Sequence, residues 1–146
     1  MSLKYFLNEE AKQRGIEFSA PRPCDAGFDL PSLREVVIGR GMMAAIRTGI
    51  HLSIPEGCVG IVKDRSSIAL RGGVTAAGVI DSGFRGEVKI LMFNLGDSEL
   101  RLKAGERVAQ LLLLRHEGAV GCEEVQILEE LGASARGQGG FGSTGK

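Results

Sequence analysis

Residues 136–146 concentrate groups that can bind phosphate and a nucleobase. They contain Arg136, five glycines, the aromatic Phe141, the adjacent hydroxyls of Ser143 and Thr144, and a lysine. Glycine lets backbone N–H groups approach an anion closely, and arginine can donate two hydrogen bonds to phosphate oxygens. An aromatic ring can stack on a base. Together these groups favour a nucleoside triphosphate as ligand, although the same composition is also typical of a flexible tail.

Two internal segments carry groups suited to phosphate chemistry. Arg65-Ser66-Ser67 supplies a guanidinium and two hydroxyls after a predicted strand, and such a set can clamp phosphate oxygens. The alternative is a turn that caps a short helix, with Arg65 on the surface. Asp81 stands in a glycine-rich hairpin, where a carboxylate beside a phosphate can activate water by accepting its proton. The alternative for Asp81 is an ordinary turn residue.

Two more segments offer a metal ligand and an amide. Asp25 and Asp29 flank a Gly-aromatic pair, and magnesium typically binds through one or two carboxylates, water and substrate phosphates. The alternative is a polar turn before a strand. Gln110 lies in an apolar strand, where an amide must find partners because burying it unpaired is costly. It is therefore either a structural amide or a phosphate donor.

Short strands separated by turns predict an all-β sandwich or jelly roll. Residues 46–54 alternate between apolar and other residues, and Pro55-Glu56-Gly57 then turns the chain. Further strands are predicted at residues 59–61, 88–93, 100–102, 108–114 and 125–128. The run Leu111–Leu114 predicts a strand buried on both faces, one of which could be a subunit interface.

The N-terminal segment has a different pattern. Leu3, Phe6, Leu7 and Ala11 have helical spacing before Gly15, which predicts a short helix.

The composition predicts one domain without a basic surface. The chain has 146 residues, 18 of them basic and 18 acidic, which argues against a general nucleic-acid binder. No run approaches a membrane span, and the N-terminus lacks a signal-peptide pattern. Cys24, Cys58 and Cys122 lack the spacing of a disulfide framework or zinc site. We therefore expect neither a nucleic-acid nor a membrane partner, and a cytoplasmic location.

Taken in order, five segments resemble the five sequence motifs of the homotrimeric dUTP diphosphatase (dUTPase) family. Ala-Gly-aromatic-Asp-Leu matches residues 26–30, Arg-Ser-Ser matches 65–67, and Gly-x-Ile-Asp-x-x-aromatic-x-Gly matches 78–86. Gly-acid-basic-aliphatic-Ala-Gln-Leu matches 105–111, and the glycine-rich motif matches 136–145 without a gap. Any one motif is a weak signal, whereas five in order are highly specific.

The resemblance implies an enzyme that hydrolyses dUTP to dUMP and pyrophosphate with Mg²⁺. The implied fold is a jelly-roll-like β-barrel or sandwich in a tight homotrimer, with each active site at an interface and drawing on all three chains. We therefore expect a β domain over residues 1–131, including the short N-terminal helix. Residues 132–146 are expected to form a flexible, glycine-rich tail that caps the nucleotide.

The resemblance also implies roles for single residues. Asp81 matches the general base that activates the water attacking the α-phosphorus, and Asp29 matches the acid that holds hydrated Mg²⁺. The backbone of the hairpin at residues 72–84 is expected to pair with the uracil edge. The expected substrate-binding residues are Arg65, Ser66, Ser67, Gly78, Phe84, Gln110, Arg136, Phe141, Gly142, Ser143 and Thr144. Within this set the tail residues grip the γ-phosphate end, and Phe141 covers the uracil.

Three positions depart from the family pattern. Phe84 replaces the usual tyrosine, and its ring can still pack under the deoxyribose and exclude a 2′-hydroxyl. Thr75 stands where many bacterial members have an asparagine, and Asp64 stands where proline or glycine is common.

Two alternative functions share the fold. A dCTP deaminase would carry its catalytic glutamate at the position of Leu91, and leucine cannot shuttle protons, so deamination is not expected. A dUTP-responsive regulatory binding protein is the second alternative. The expected catalytic positions are all occupied, which favours the enzyme.

Overall fold

The computed structural model describes residues 2–118 and 120–134, which form a mainly β structure. Its strands are β1 (Lys4–Leu7), β2 (Gly27–Pro31), β3 (Val36–Ile38), β4 (Met43–Ser53), β5 (Cys58–Asp64), β6 (Gly73–Ala76), β7 (Val79–Ile80), β8 (Glu87–Asn94), β9 (Leu100–Leu102) and β10 (Arg107–Arg115). The helices are short: α1 (Glu9–Gln13), α2 (Ser66–Ala69) and a 3-10 turn at Leu128–Leu131. Within these ranges no helix has the length and apolar character needed to cross a membrane.

The strands form two four-stranded antiparallel sheets and one small pair. One sheet has the order β1-β4-β8-β6, the other β2-β10-β5-β7, and β3 pairs with β9. Alternate residues of the strands point inward. Buried side chains from both large sheets belong to one apolar core, including Ile46, Ile90, Met92, Val62 and Leu111. The expected all-β, jelly-roll-like fold is confirmed.

The N-terminal segment is a strand followed by a helix. The predicted helix exists only at Glu9–Gln13, where Asn8 caps it by accepting a hydrogen bond from the Ala11 backbone at 2.9 Å. The prediction was wrong for Lys4–Leu7, which forms β1 and pairs with residues 50–53 of β4. Helical spacing could not reveal this strand because its backbone hydrogen bonds are made with the edge of β4, which is distant in sequence.

The C-terminal part of the described chain also differs from prediction. The strand expected at residues 125–128 is absent, and Leu128–Leu131 is a 3-10 turn. Ile127 is 56% exposed and Leu131 is 69% exposed. A strand needs a neighbouring edge, and among the described residues none pairs with this segment.

The apolar run in β10 is only partly buried within one chain. Leu111 is fully buried, Leu112 and Leu113 are half-buried, and Leu114 is 49% exposed. The burial expected on both faces is therefore not reached within the described residues of one chain. One side of the end of β10 stays open to solvent or to a partner.

Glu10 anchors α1 to the β domain through Arg34 and Arg47, and it also pairs with Arg14 at the end of α1. Its carboxylate accepts hydrogen bonds from Arg34 at 2.5 Å, Arg14 at 3.0 Å and Arg47 at 3.2 Å. The bond from Arg34, supported by Arg14, lowers the pKa of Glu10 from its ordinary 4.5 to about 2. Ionised Glu10 therefore stabilises the fold above about pH 4.5, and this contribution disappears as the pH falls towards about 2.

We expect Glu10→Gln to lower the thermal unfolding temperature near neutral pH, with the difference from wild type shrinking below about pH 4.5. The amide keeps the shape but cannot pair ionically with the arginines. The matched control is Glu9→Gln, because Glu9 is exposed and pairs only with Lys12. Equal losses in both variants, or a loss independent of pH, would contradict the anchoring role.

Candidate active site

A polar cleft of about 730 Å³ lies where β2, β10 and the end of β5 run side by side. The pairing places Gln110 opposite Asp29 of β2, and Ala109 opposite Asp64 of β5. Antiparallel register thus brings together segments that are distant in sequence. Four predicted site residues line this cleft: Asp29, Arg65, Ser66 and Gln110.

Asp29 lies between two arginines at the floor of this cleft. Its Oδ1 is 2.8 Å from Arg65 Nη1, and its Oδ2 is 3.1 Å from Arg107 Nη1. Arg65 Nη1 is buried and forms an ion pair with Asp29. The angles of this contact are not those of a hydrogen bond, and Nη1 has no hydrogen-bond partner among the described atoms. Two guanidinium groups around one carboxylate leave a positive excess at this point. The arrangement suits an anion with several oxygens, such as a phosphate.

Gln110 has a structural partner and still has a donor for a ligand. Its Nε2 donates a hydrogen bond to the Asp64 carbonyl at 2.8 Å, so the amide has a structural role. A side-chain amide carries two N–H donors, so one donor is left for a ligand in the cleft. A Cβ at Gly27 would lie 2.7 Å from Gln110 Oε1, so the glycine gives the amide its space.

The Arg-Ser-Ser segment begins α2. The Arg65 carbonyl accepts hydrogen bonds from the Ile68 and Ala69 backbones, while its side chain points to Asp29. Arg65 is therefore half-buried in the cleft and not a surface residue. Ser66 lines the cleft, whereas Ser67 is exposed and lines neither of the two clefts described here.

The carboxylates of this cleft fit a hydrated metal better than a directly coordinated one. In the described ranges no group of three or more His, Cys, Asp or Glu side chains could hold a metal ion. Asp29 is partly exposed, and a carboxylate has acceptor capacity for about four hydrogen bonds, of which the arginines use part. Magnesium keeps several waters and takes its remaining ligands from substrate phosphates, which one such carboxylate can support.

A second, more apolar cleft of about 550 Å³ contains three more of the predicted residues. Its lining includes Gly78, Asp81 and Phe84. Asp81 follows β7 at an exposed turn closed by the hydrogen bond from the Phe84 backbone to the Asp81 carbonyl at 3.0 Å. The Phe84 ring lies against Gly86, where a Cβ would come within 2.6 Å of Cζ. A water-accessible carboxylate thus lies beside an apolar wall.

The turn between β6 and β7, which forms the tip of the hairpin segment at residues 72–84, has an unusual backbone. Ala77 has φ 56° and Gly78 has φ 92°, two successive residues in the left-handed region. For alanine this conformation is strained, and such strain is commonly kept where a site needs a particular backbone shape. The Gly78 carbonyl accepts a hydrogen bond from the Val62 backbone at 2.8 Å, which fixes the tip to β5.

The two clefts are separate within one chain. Ile80 pairs with Gly60, so Asp81 is level with Val59, six residues before Arg65 along an extended segment. At about 3.3 Å per residue this places Asp81 roughly 20 Å from Arg65. The structure therefore does not bring all the predicted residues together. The predicted tail residues Arg136, Phe141, Gly142, Ser143 and Thr144 lie outside the described residues.

Two residues of the clefts were not singled out from the sequence. Arg107 pairs with Asp29, and its only signal was its place in the motif before Gln110. Glu87 lines the Asp81 cleft, but its carboxylate accepts hydrogen bonds from Arg47 at 3.1 Å and from the Gly49 backbone at 2.9 Å. No sequence spacing indicates that pairing because it depends on the bulge between β4 and β8.

A cleft with two arginines around one carboxylate, and a separate apolar cleft with an accessible carboxylate, suit an enzyme that hydrolyses a phosphorylated ligand. The comparisons identify the family. The dUTPase family model matches residues 15–145. The chain is 43% identical over 136 residues to the deoxyuridine 5'-triphosphate nucleotidohydrolase of Corynebacterium jeikeium, covering 88% of this chain and 87% of that protein. The chain therefore belongs to the dUTPase family, as the five motifs indicated.

Two further matches cover nearly the full length of this chain. The Candida albicans deoxyuridine 5'-triphosphate nucleotidohydrolase is 43% identical over 147 residues, covering 99% of this chain and 89% of that protein. The structure of Staphylococcus bacteriophage 80alpha dUTPase with dUPNHPP superimposes with a TM-score of 0.86 at 27% identity, covering 99% of both chains.

We expect Gly78→Ala to destabilise the hairpin by about 1–3 kcal/mol. A Cβ at this position would lie 2.9 Å from Val62 Cβ, and φ is 92°. Gly83→Ala is the matched control in the same hairpin, because a Cβ there meets nothing within 4 Å. Urea unfolding at one protein concentration measures both. Equal stability of the two variants would show that the tip is not held against β5.

Proposed function

We propose that this dUTPase hydrolyses dUTP to dUMP and pyrophosphate in sites shared between the subunits of a homotrimer, with Asp81 as general base. The separation of the two clefts carries the proposal. Asp81 lies roughly 20 Å from Arg65 in one chain, too far for both to act on one phosphate chain. A site is complete only when the apolar cleft of one subunit faces the polar cleft of another.

Exposed apolar surface supports the assembly. Leu114 at the end of β10, Ile127 and Leu131 are all about half exposed or more, although large apolar side chains are usually buried. A closed ring of three subunits gives such surfaces a partner without leaving an open edge. The predicted burial of both faces of β10 is then met between subunits.

The proposed chemistry assigns one task to each cleft. Asp81 accepts the proton of the water that attacks the α-phosphorus, and the apolar surroundings with Phe84 hold the sugar and base. Arg65, Ser66 and the free donor of Gln110 position the phosphates. Asp29 would hold Mg²⁺ through water, and the bound ion would supply charge neutralisation at the phosphates.

The glycine-rich residues 132–146 complete the proposed site as a capping tail. Arg136, Ser143 and Thr144 bind the γ-phosphate end, Gly142 admits close approach of the backbone, and Phe141 covers the uracil. Support comes from the residue types and from the family match, which extends to residue 145. A cytoplasmic location remains a prediction from the sequence.

Deamination of dCTP is not supported by the site. Leu91 lines the Asp81 cleft, and its side chain cannot transfer protons. The other carboxylate there, Glu87, is engaged by Arg47 and the Gly49 backbone. Nothing in the described residues favours a purely regulatory binding role.

Asp81→Asn should lower kcat for dUTP at least about 10²-fold while KM changes little, because the amide keeps the shape but cannot accept the proton. Steady-state kinetics with pyrophosphate detection measure this. Asp97→Asn, a change at a fully exposed aspartate in another turn, is the control and should retain activity. Near-normal turnover of the Asp81 variant would assign the base to another group.

Mixed trimers test the shared site. Homotrimers of Asp81→Asn and of Arg65→Ala should each be nearly inactive. If a site takes Asp81 from one subunit and Arg65 from another, trimers refolded from an equal mixture regain about one quarter of wild-type sites. Activity of trimers confirmed as mixed by mass spectrometry is the measurement. No recovery in such trimers would mean that one chain supplies both residues.

A further inference from the structure

Asp64, the last residue of β5, makes a double hydrogen bond to the hairpin. Its Oδ1 accepts from the Thr75 backbone N–H at 2.6 Å and from the Thr75 hydroxyl at 2.6 Å. Hydrogen bonds to a carboxylate are stronger than those between neutral groups. This link joins β5 of one sheet to β6 of the other, and both partners are half-buried.

Besides this link, the hairpin is held by the pairing of β6 with residues 91–94 of β8 and by the hydrogen bond from the Val62 backbone to the Gly78 carbonyl. β6 is the four-residue edge strand of one sheet, and β7 is the two-residue edge strand of the other. β7 pairs with β5 only through Val79 and Ile80. Segments with short ladders at a sheet edge open at low cost, so one charge-assisted clamp has a large influence on the hairpin position.

The hydrogen bonds to Asp64 occupy both donors of Thr75. Its hydroxyl and its backbone N–H are both directed at Asp64, so its side chain is committed within the chain. The residues that follow it, Ala76, Ala77 and Gly78, line the Asp81 cleft. The cleft is therefore lined by these three residues and not by Thr75.

Asp64 also has a fixed place beside the phosphate cleft. Its carbonyl accepts from Gln110 Nε2 at 2.8 Å, and the next residue, Arg65, pairs with Asp29. The main chain of Asp64 thus holds Gln110 of the polar cleft, while its side chain holds the hairpin of the apolar cleft.

We propose that Asp64 is a positioning residue that sets base selectivity: it clamps Thr75 and so fixes the 76–78 backbone that reads the base. This inference rests on the proposed function, which places the base in the Asp81 cleft. Asp64 and Thr75, two departures from the family pattern, act as one unit. The Asp64 side chain has no part in binding the phosphates.

The test compares Asp64→Ala, Asp64→Asn, Thr75→Val and Thr75→Ser with the exposed-site control Asp97→Ala. For each variant kcat and KM are measured with dUTP and dCTP, together with inhibition by inorganic pyrophosphate and the unfolding temperature. Thr75→Val removes the hydroxyl and keeps the volume and backbone donor, whereas Thr75→Ser keeps the hydroxyl. Asp64→Asn retains an acceptor for Thr75 without the charge.

Asp64→Ala should raise KM for dUTP about tenfold and reduce the preference for dUTP over dCTP by a similar factor, with kcat changed less than about threefold. Pyrophosphate inhibition should stay within about twofold, because this substitution leaves in place the main-chain carbonyl that binds Gln110. Asp64→Asn and Thr75→Val should show smaller changes in the same direction, and Thr75→Ser should resemble wild type. Thr75→Val should add nothing in the Asp64→Ala background, because the hydroxyl has then lost its partner.

Unchanged base preference in Asp64→Ala would overturn the proposal, as would additive effects in the double variant. A lower unfolding temperature with intact selectivity would show a merely structural clamp. Calorimetric binding of dUMP and dCMP measures base preference without turnover. If the wild-type protein binds dUMP better than dCMP but does not cleave dUTP, the proposed function is contradicted and the proposal for Asp64 is not. Binding of dUMP and dCMP to Asp64→Ala then still tests the role of the clamp.

Discussion

The pairing of β10 between β2 and β5 is the constraint on which the polar cleft depends. This register sets Gln110 opposite Asp29 and brings Asp64 alongside, so that Arg65 reaches Asp29 at 2.8 Å. A shift by one residue would turn Gln110 to the other face of the sheet and remove the amide from the Asp64 carbonyl. Leu111, fully buried in the core, opposes such a shift because its side chain would be moved out of the core.

The charges of this cleft are arranged for a ligand more than for stability. Asp29 is shared by two arginines, and one buried guanidinium nitrogen has no hydrogen-bond partner within the described structure. That nitrogen, Arg65 Nη1, is 2.8 Å from Asp29 Oδ1, so its charge is balanced by the ion pair although the geometry is not that of a hydrogen bond. Glu10 and Glu87 also pair with arginines, but their pairs join α1 and β8 to β4 and lie outside the polar cleft.

The apolar cleft depends on a different constraint, the shape of a hairpin with little ladder of its own. Ala77 and Gly78 are held in left-handed conformations, and hydrogen bonds from Val62 to Gly78 and from Thr75 to Asp64 fix the hairpin at either end of its tip. The edges of both sheets meet in this hairpin, so packing in the core and geometry at the cleft are connected. The position of the hairpin therefore depends on groups outside it, the Val62 backbone, the paired strand β8 and the Asp64 side chain.

Sequence alone determined the family, the all-β fold and the chemical types of the site residues. Five ordered motifs carry this information because each preserves groups that bind phosphate or shape a turn, and the period of two in β4 and β8 reports burial on one face. Prediction from the sequence was wrong for Lys4–Leu7 and for residues 125–128. In both places the outcome depends on whether an edge elsewhere in the chain accepts a strand, which local spacing does not record.

Only the tertiary structure decided how the site residues are distributed. The sequence places Arg65 and Asp81 sixteen positions apart, yet the antiparallel pairing of β5 with β7 separates them by roughly 20 Å. The clamp between Asp64 and Thr75 likewise joins two positions that the sequence shows only as separate departures from the family pattern. Residue types follow from the chemistry that each motif must perform. Distances between motifs follow from strand register, which is set by the burial of the whole core.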